Sequence, residues 1–362
     1  MVSNKTAALL VSLFLVSIMG YAQKHIENST SQTQQKIDTL VQGYYTKGEL
    51  NGNILVMKDG KMLYKNALGY ADGSKQTKLT EDFKFGIGSI YKEFPAVAIM
   101  QLQEADKIQL DDTIQQYLPD LPNWSKEITI KNLLQYTSGL PKINFRKYFS
   151  ENKTIYESDV LQDIQHIETL EFSPGTDYLY SNNNPFLLIK IIEKVSGTTF
   201  NDYVQEYLFK PHGIHNTIIK NQYPYTDTTL MAIPMNTDFE EDQYKINIPT
   251  VLFSSTTEDL YHWVKALHSY AIINESSVSI LSETATVGGS NVQAPLGNCV
   301  TINNKISEHI QHGSSVNYEG VIQHFPKEDL SIILLTNQKH QNVFEIAEKI
   351  KGIVEASVVQ KE

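Results

Sequence analysis

A single cysteine, Cys299, stands among 362 residues, so no internal disulfide forms, and that thiol reads as a small buried apolar side chain. Excess positive charge is missing too: a net charge of −11 argues against a nucleic-acid groove or an anionic membrane surface as the main partner. The apolar run from Ala7 to Met19 is too short to span a bilayer stably. No internal repeat is present. The pairs His212/His215 and His309/His312 have neither the His-Glu-x-x-His spacing nor a set of acidic ligands around them, so no metal or other cofactor is expected. No serine has glycine at both −2 and +2, which excludes the strand-to-helix nucleophile elbow built on that spacing. What remains is ordinary globular composition, 41% hydrophobic and 20% charged, in a chain long enough for two domains or one large one.

Met1 to Lys5 is a short cationic start, and Gly20-Tyr21-Ala22 follows the apolar run with small residues at −3 and −1 before Gln23. Residues 1–22 therefore read as a secretory signal peptide, 23–35 as a flexible polar leader and 36–356 as the folded region. The mature protein is expected to be periplasmic or secreted, with no stable membrane insertion after cleavage. An uncleaved anchor is the alternative, while a lipid-anchored cysteine is excluded because none follows the run.

Residues 53–57, a Lys58-Asp59-Gly60-Lys61 turn and residues 62–66 predict a β-hairpin. Gly320 to Phe325 and Ser331 to Thr336 predict two further strands around a Pro326-to-Asp329 turn. An amphipathic helix over 342–356 follows, with Val343, Phe344, Ile346, Ala347, Ile350 and Val354 on its apolar face. Between them the chain reads mostly helical, over 89–104, 130–136, 185–195, 200–209 and 257–270. The acidic run Asp238 to Asp242 reads as a solvated loop. The expected architecture is an α/β part, about 36–88 and 285–356, whose first and last segments pair in an antiparallel sheet flanked by N- and C-terminal helices. An all-α part, about 89–284, is inserted into it.

Three short motifs carry the chemistry in a set order: Ser89-Ile90-Tyr91-Lys92, Tyr180-Ser181-Asn182 and His312-Gly313-Ser314. A serine hydroxyl is a poor nucleophile at neutral pH and needs a base in reach and donors for the oxyanion. Serine and lysine three apart on a helix share one face. With 27 serines and 29 lysines, roughly two such spacings arise by chance, and Ser150-Glu-Asn-Lys153 is a second. That one lies in a polar stretch. Ser89 instead follows Gly86 and Gly88 and leads into Val97, Ala98, Ile99 and Leu102, as a turn entering a buried helix does; a plain helix N-cap is its bland reading. Tyr180 sits in a loop after Pro174-Gly175, where the alternative is a buried phenol bonded to backbone. Histidine can serve as a base or a hydrogen-bond donor, which makes His312 a candidate, although a lone histidine is more often a satisfied surface or core residue.

With these motifs placed, the chain resembles the serine β-lactamase and penicillin-binding superfamily, in the branch of class C β-lactamases and their esterase and D-peptidase relatives. The resemblance runs from about Ile37 to Ile353 and includes Phe85 to Ser89, Leu133 to Pro141, Pro174-Gly175 leading to Tyr180-Ser-Asn182, Glu193 to Gly197 and Thr256 to Leu260. It implies Ser89 as the acylated nucleophile, Lys92 and Tyr180 as the groups moving its proton, and Asn182, Gly313 and Ser314 as substrate-binding positions. It places His312 where relatives carry the lysine of a Lys-Thr-Gly motif. The backbone N–H groups of Ser89 and Ser315 become the implied oxyanion hole, and the substrate a small molecule or peptide.

The chain departs from that pattern at Ser314, where glycine is usual, at Tyr318, and at Pro95 inside the first catalytic helix. The leading expectation is thus an exported serine hydrolase acting on small esters, amides or D-amino-acid peptides. A true β-lactamase and a non-catalytic binding protein on the same fold are the alternatives.

Overall fold

The computed structural model describes residues 30–145, 148, 153–248, 251–287 and 292–359. The expected signal segment, residues 23–29 of the expected leader and Ser150 lie outside them. Residues 30–35 are not a leader: a helix covers 30–46. Thr33, Ile37, Val41 and Tyr44 recur on its buried side, so the apolar stripe begins a turn earlier than the polar composition suggests.

A six-stranded antiparallel sheet follows the order β2 (Lys61–Leu68), β1 (Gly52–Lys58), β11 (Leu330–Thr336), β10 (Tyr318–Phe325), β9 (Lys305–Ser315), β8 (Asn298–Ile302). The first and last segments pair as expected, Gly52 with Thr336 through Lys58 with Leu330. The β1–β2 turn places Asp59 and Gly60 at φ 53° and 69°, the left-handed pair that a two-residue hairpin favours. Period-two alternation gives the sheet two apolar faces. Ile54, Val56, Val321, Ile332 and Leu334 meet the helix 30–46 and the C-terminal helix Val343–Val359. Leu55, Ile322, Ile333 and Leu335 meet the helical part.

That part centres on helix Glu93–Glu104, buried on nearly every side, which packs against helix Asn183–Ser196. Pro95 falls in its first turn because the residues before it, Gly88–Lys92, form a 3-10 turn; there the missing N–H has no intrahelical partner to lose. The inserted part is not all-α. Short strands β3 (Phe85–Gly86), β5 (Ile218–Ile219) and β7 (Phe253–Ser255) form a second sheet, and β4 (Ile155–Tyr156) pairs with β6 (Ile246–Asn247). Helix Thr257–His268 packs directly on β1 and β11, so it belongs to the sheet layer although its sequence position lies inside the insertion.

Beneath the sheet lies a chain of buried polar groups. Glu93 is fully buried and accepts from Trp263 Nε1 at 2.6 Å, while its other oxygen lies 2.8 Å from His309 Nε2. His309 Nδ1 is 2.8 Å from His268 Nε2, whose ring lies 4.7 Å from that of His324. A hydrogen-bonded chain thus runs from His268 through His309 to Glu93. Burial holds His268 well below the ordinary range and brings His324 down to about 3. A folded pKa below the unfolded value of about 6.5 means the unfolded chain takes up protons first. This contribution is complete above about pH 6.5 and drains away as pH falls towards 3. Between pH 7 and 5 the loss is expected to be about 2 kcal/mol per histidine, a window in which surface carboxylates stay charged. Thermal melts across that range check it, and His324→Gln should flatten the dependence.

Candidate active site

Residues 85–92 are drawn tightly onto the sheet. Ile87 N–H donates to Phe253 O at 3.1 Å, and Gly88 turns at φ 49° so close to β9 that a Cβ there would lie 2.5 Å from Ser314 N. Only glycine fits such an approach. The 3-10 turn then presents Ser89 Oγ to Lys92 Nζ at 2.7 Å. Ser89 is no N-cap: the position before the turn is Ile87, and the hydroxyl engages the amine instead. Lys92 is 6% exposed, and burial lowers its amine to about 7, so a large share is neutral at physiological pH.

Tyr180 completes the group. Its hydroxyl faces Ser89, Lys92 Nζ lies 4.9 Å from its ring centre, and burial raises its pKa, with the nearby Ser89 hydroxyl opposing. Tyr136 stacks on the ring at 4.9 Å and 22°. The loop behind is tied to residues 138–141: Ser181 Oγ and Asn183 Nδ2 donate to Pro141 O at 2.6 and 2.8 Å, and Ser138 Oγ donates to Asn184 Oδ1 at 2.6 Å. Asn182 opens the next helix without capping it and lines the cavity beside Ser89.

The third motif lies inside β9 rather than before a strand pair, and alternation along that strand corrects several expectations. His312 faces away from Ser89, with Nε2 3.2 Å from Glu319 Oε1 and its ring 5.0 Å from Phe344, which explains why Phe344 sits partly exposed on its helix. Because His309 is on the opposite face, the two histidines cannot share a metal. Gly313 faces the nucleophile turn. A Cβ there would lie 2.0 Å from Ile87 O, so this glycine serves close packing rather than substrate contact. Ser314 turns its hydroxyl to the far face, where Lys339 Nζ donates to it at 3.2 Å; it adds no side chain to narrow the groove from the Ser89 side. Buried Gln311 is the side chain on the Ser89 face that the sequence reading missed; the polar stretch 305–315 has no apolar alternation to mark its faces.

Hydrogen-bond parity moves the expected oxyanion donor as well. Ser315 pairs with Tyr318 at the hairpin's closing pair, so its N–H is directed to β10. Even-numbered N–H groups are directed the other way, as His312 N–H donating to Gln311 Oε1 at 3.1 Å confirms. β8 ends opposite Ile310, which leaves the N–H of Ser314 on an uncovered edge beside Gly88 and Ser89. Ser315 instead bonds through its side chain to Tyr244. Asp242, in the run expected to be solvated, is buried and accepts from Asn317 Nδ2 at 2.5 Å, which pins the β9–β10 turn. Tyr318 is buried against Gly86 and donates to Ala232 O. The lone thiol of Cys299 is half-buried, and burial pushes it up to about 12.

An antiparallel sheet with terminal helices on one face and, on the other, a Ser-Lys-Tyr group around a buried amine together define a β-lactamase/transpeptidase-type fold. The chain belongs to the Beta-lactamase family, whose model matches residues 34–354, and so to the serine β-lactamase and penicillin-binding hydrolase superfamily. It is 28% identical over 339 residues to protein flp of Staphylococcus aureus (strain NCTC 8325 / PS 47), covering 89% of this chain but 66% of flp. It is 26% identical over 337 residues to penicillin-binding protein 4* of Bacillus subtilis (strain 168), covering 87% of this chain and 74% of that protein. Among solved structures, a penicillin-binding protein from Bacillus halodurans superposes with a TM-score of 0.74 at 24% identity, over 88% of this chain and 98% of that one. The D-amino acid amidase from Ochrobactrum anthropi SV3 gives 0.74 at 18%, over 90% and 99%.

Proposed function

We propose that this protein is an exported serine hydrolase that forms an acyl-enzyme on small esters, amides or D-amino-acid peptides. The observation that carries the reading is the 2.7 Å contact between Ser89 Oγ and a buried amine lowered to about 7. Neutral Lys92 takes the Ser89 proton as Oγ bonds to the substrate carbonyl carbon, and the displaced electron pair goes to the carbonyl oxygen. The N–H groups of Ser89 and Ser314 receive that oxyanion. As the carbonyl reforms, the bond to the leaving group breaks and Lys92 returns the proton to it, with the Tyr180 hydroxyl in contact with Ser89 as relay. Water then loses a proton to the same pair as it attacks the acyl carbon. The acyl–Oγ bond breaks, and the pair returns that proton to Oγ, so the acid leaves and Ser89 is restored. Asn182 is placed to meet a polar group of the substrate, and His312 takes no step.

Support for export is the pattern of residues 1–22. No helix among the described residues is long and apolar enough to cross a membrane. The partner is a small-molecule or peptide substrate, and the net charge of −11 opposes a nucleic-acid role. The class C β-lactamase that superposes with a TM-score of 0.72 at 20% identity shares the fold, and fold alone does not assign β-lactam turnover here.

The test is labelling with a fluorophosphonate followed by mass spectrometry. One adduct is expected, on the peptide containing Ser89, with a labelling rate that climbs through about pH 7 and levels off above it because Lys92 acts deprotonated. An adduct on Ser150 contradicts the mechanism. No adduct at any pH supports the binding-protein alternative.

A further inference from the structure

The cavity of about 300 Å³ beside Ser89 has walls that acyl transfer does not require. Among the described residues that line it, Lys92 is the one charged side chain. Ile248, Val251, Phe253 and Val316 are among the apolar side chains that line the cavity, together with the phenol of Tyr225. Lys339, the cation bonded to Ser314, is on the far face of β9 and does not line it.

Val316 is the telling residue. It is the first of two residues in the β9–β10 turn, held at φ 50°, where glycine or asparagine is usual and a β-branched residue is strained. Burial does not repay that strain, since Val316 is 51% exposed. An apolar side chain kept at such a position, over an apolar cavity, is placed to cover a ligand.

We infer that the acyl group of the substrate is uncharged and apolar and lies against Val316, Ile248 and Phe253. The inference rests on the serine-hydrolase reading. The acyl part stays tethered to Ser89 until water attacks, while the leaving group must escape, so a closed apolar wall suits the acyl part. The cavity has the room of about ten water molecules, enough for a medium-length chain or one ring. A carboxylate there would lose its hydration, and among the described lining residues Lys92 is the one cation, already engaged with Ser89.

The test compares kcat/KM for nitrophenyl acetate, butyrate, pentanoate and hexanoate and for the nitrophenyl monoester of glutaric acid. Rates are normalised to sites titrated by fluorophosphonate, so a misfolded fraction does not count. A rise of about fourfold per methylene is expected, on the order of a hundredfold from acetate to hexanoate. The glutarate monoester should fall at least about tenfold below the pentanoate. Val316→Asn should raise Tm by relieving the turn and lower the hexanoate-to-acetate ratio severalfold. A flat or falling series with Ser89 labelled overturns this inference and leaves the hydrolase reading standing. A glutarate monoester faster than pentanoate overturns it in favour of Lys339. Absence of labelling overturns the hydrolase reading itself.

Discussion

Ser89→Ala is expected to reduce ester turnover by about 10⁴-fold or more and to abolish the covalent adduct. The hydroxyl is the only atom lost, and its partners are Lys92 and Tyr180 rather than backbone, so circular dichroism and Tm should change little. Ser150→Ala should match the parent. Burst kinetics with a nitrophenyl ester measure both effects at once, because an acyl-enzyme releases its first equivalent of nitrophenol faster than it turns over. Parent-like turnover by Ser89→Ala would remove the nucleophile from the mechanism.

Lys92→Ala and Tyr180→Phe are each expected to cost about 10²- to 10⁴-fold in kcat/KM, and the double variant little more than the poorer single. The geometry is the reason. Both groups meet one hydroxyl, with the Lys92 amine 4.9 Å from the Tyr180 ring centre, so either loss interrupts the same proton transfer. Phenylalanine keeps the ring stacked on Tyr136 at 4.9 Å, which separates loss of the hydroxyl from loss of packing. Lys92→Ala should also erase the rise in rate through about pH 7. Fully additive effects would show that the two residues act in different steps.

Much of this was legible in the residues themselves. Continuous apolar runs in 53–57 and 331–336 marked strands that pair, because a strand buried on both faces is apolar throughout. The glycines before Ser89 and the apolar residues after Lys92 marked a tight turn entering a buried helix, and the structure has that turn. The Pro174-Gly175 loop did deliver Tyr180 to Ser89. Other features were hidden. The helix 30–46 has a polar first half, and its stripe makes sense only with the sheet beneath it. Helix Thr257–His268 looks like any other of the middle segment, and nothing local says that it lies on β1 and β11.

Local physics thus marked the most strongly apolar segments: periodicity chose helix or strand there, and the three-residue spacing put Lys92 beside Ser89 on one turn. Only tertiary structure decided what faces what. Whether Gln311 or His312 lies on the face of β9 turned to the helical part depends on the register of β9 against β10, and a shift of one residue exchanges every side chain between the faces. Which N–H is open to an oxyanion depends on where β8 stops, a matter of pairing between strands. The cavity lining joins Ile248, Val251 and Phe253 to Val316, far apart in sequence and brought together by the fold alone. Chemistry carried by one turn is written in the sequence, whereas chemistry shared between strands needs the register that long-range packing imposes.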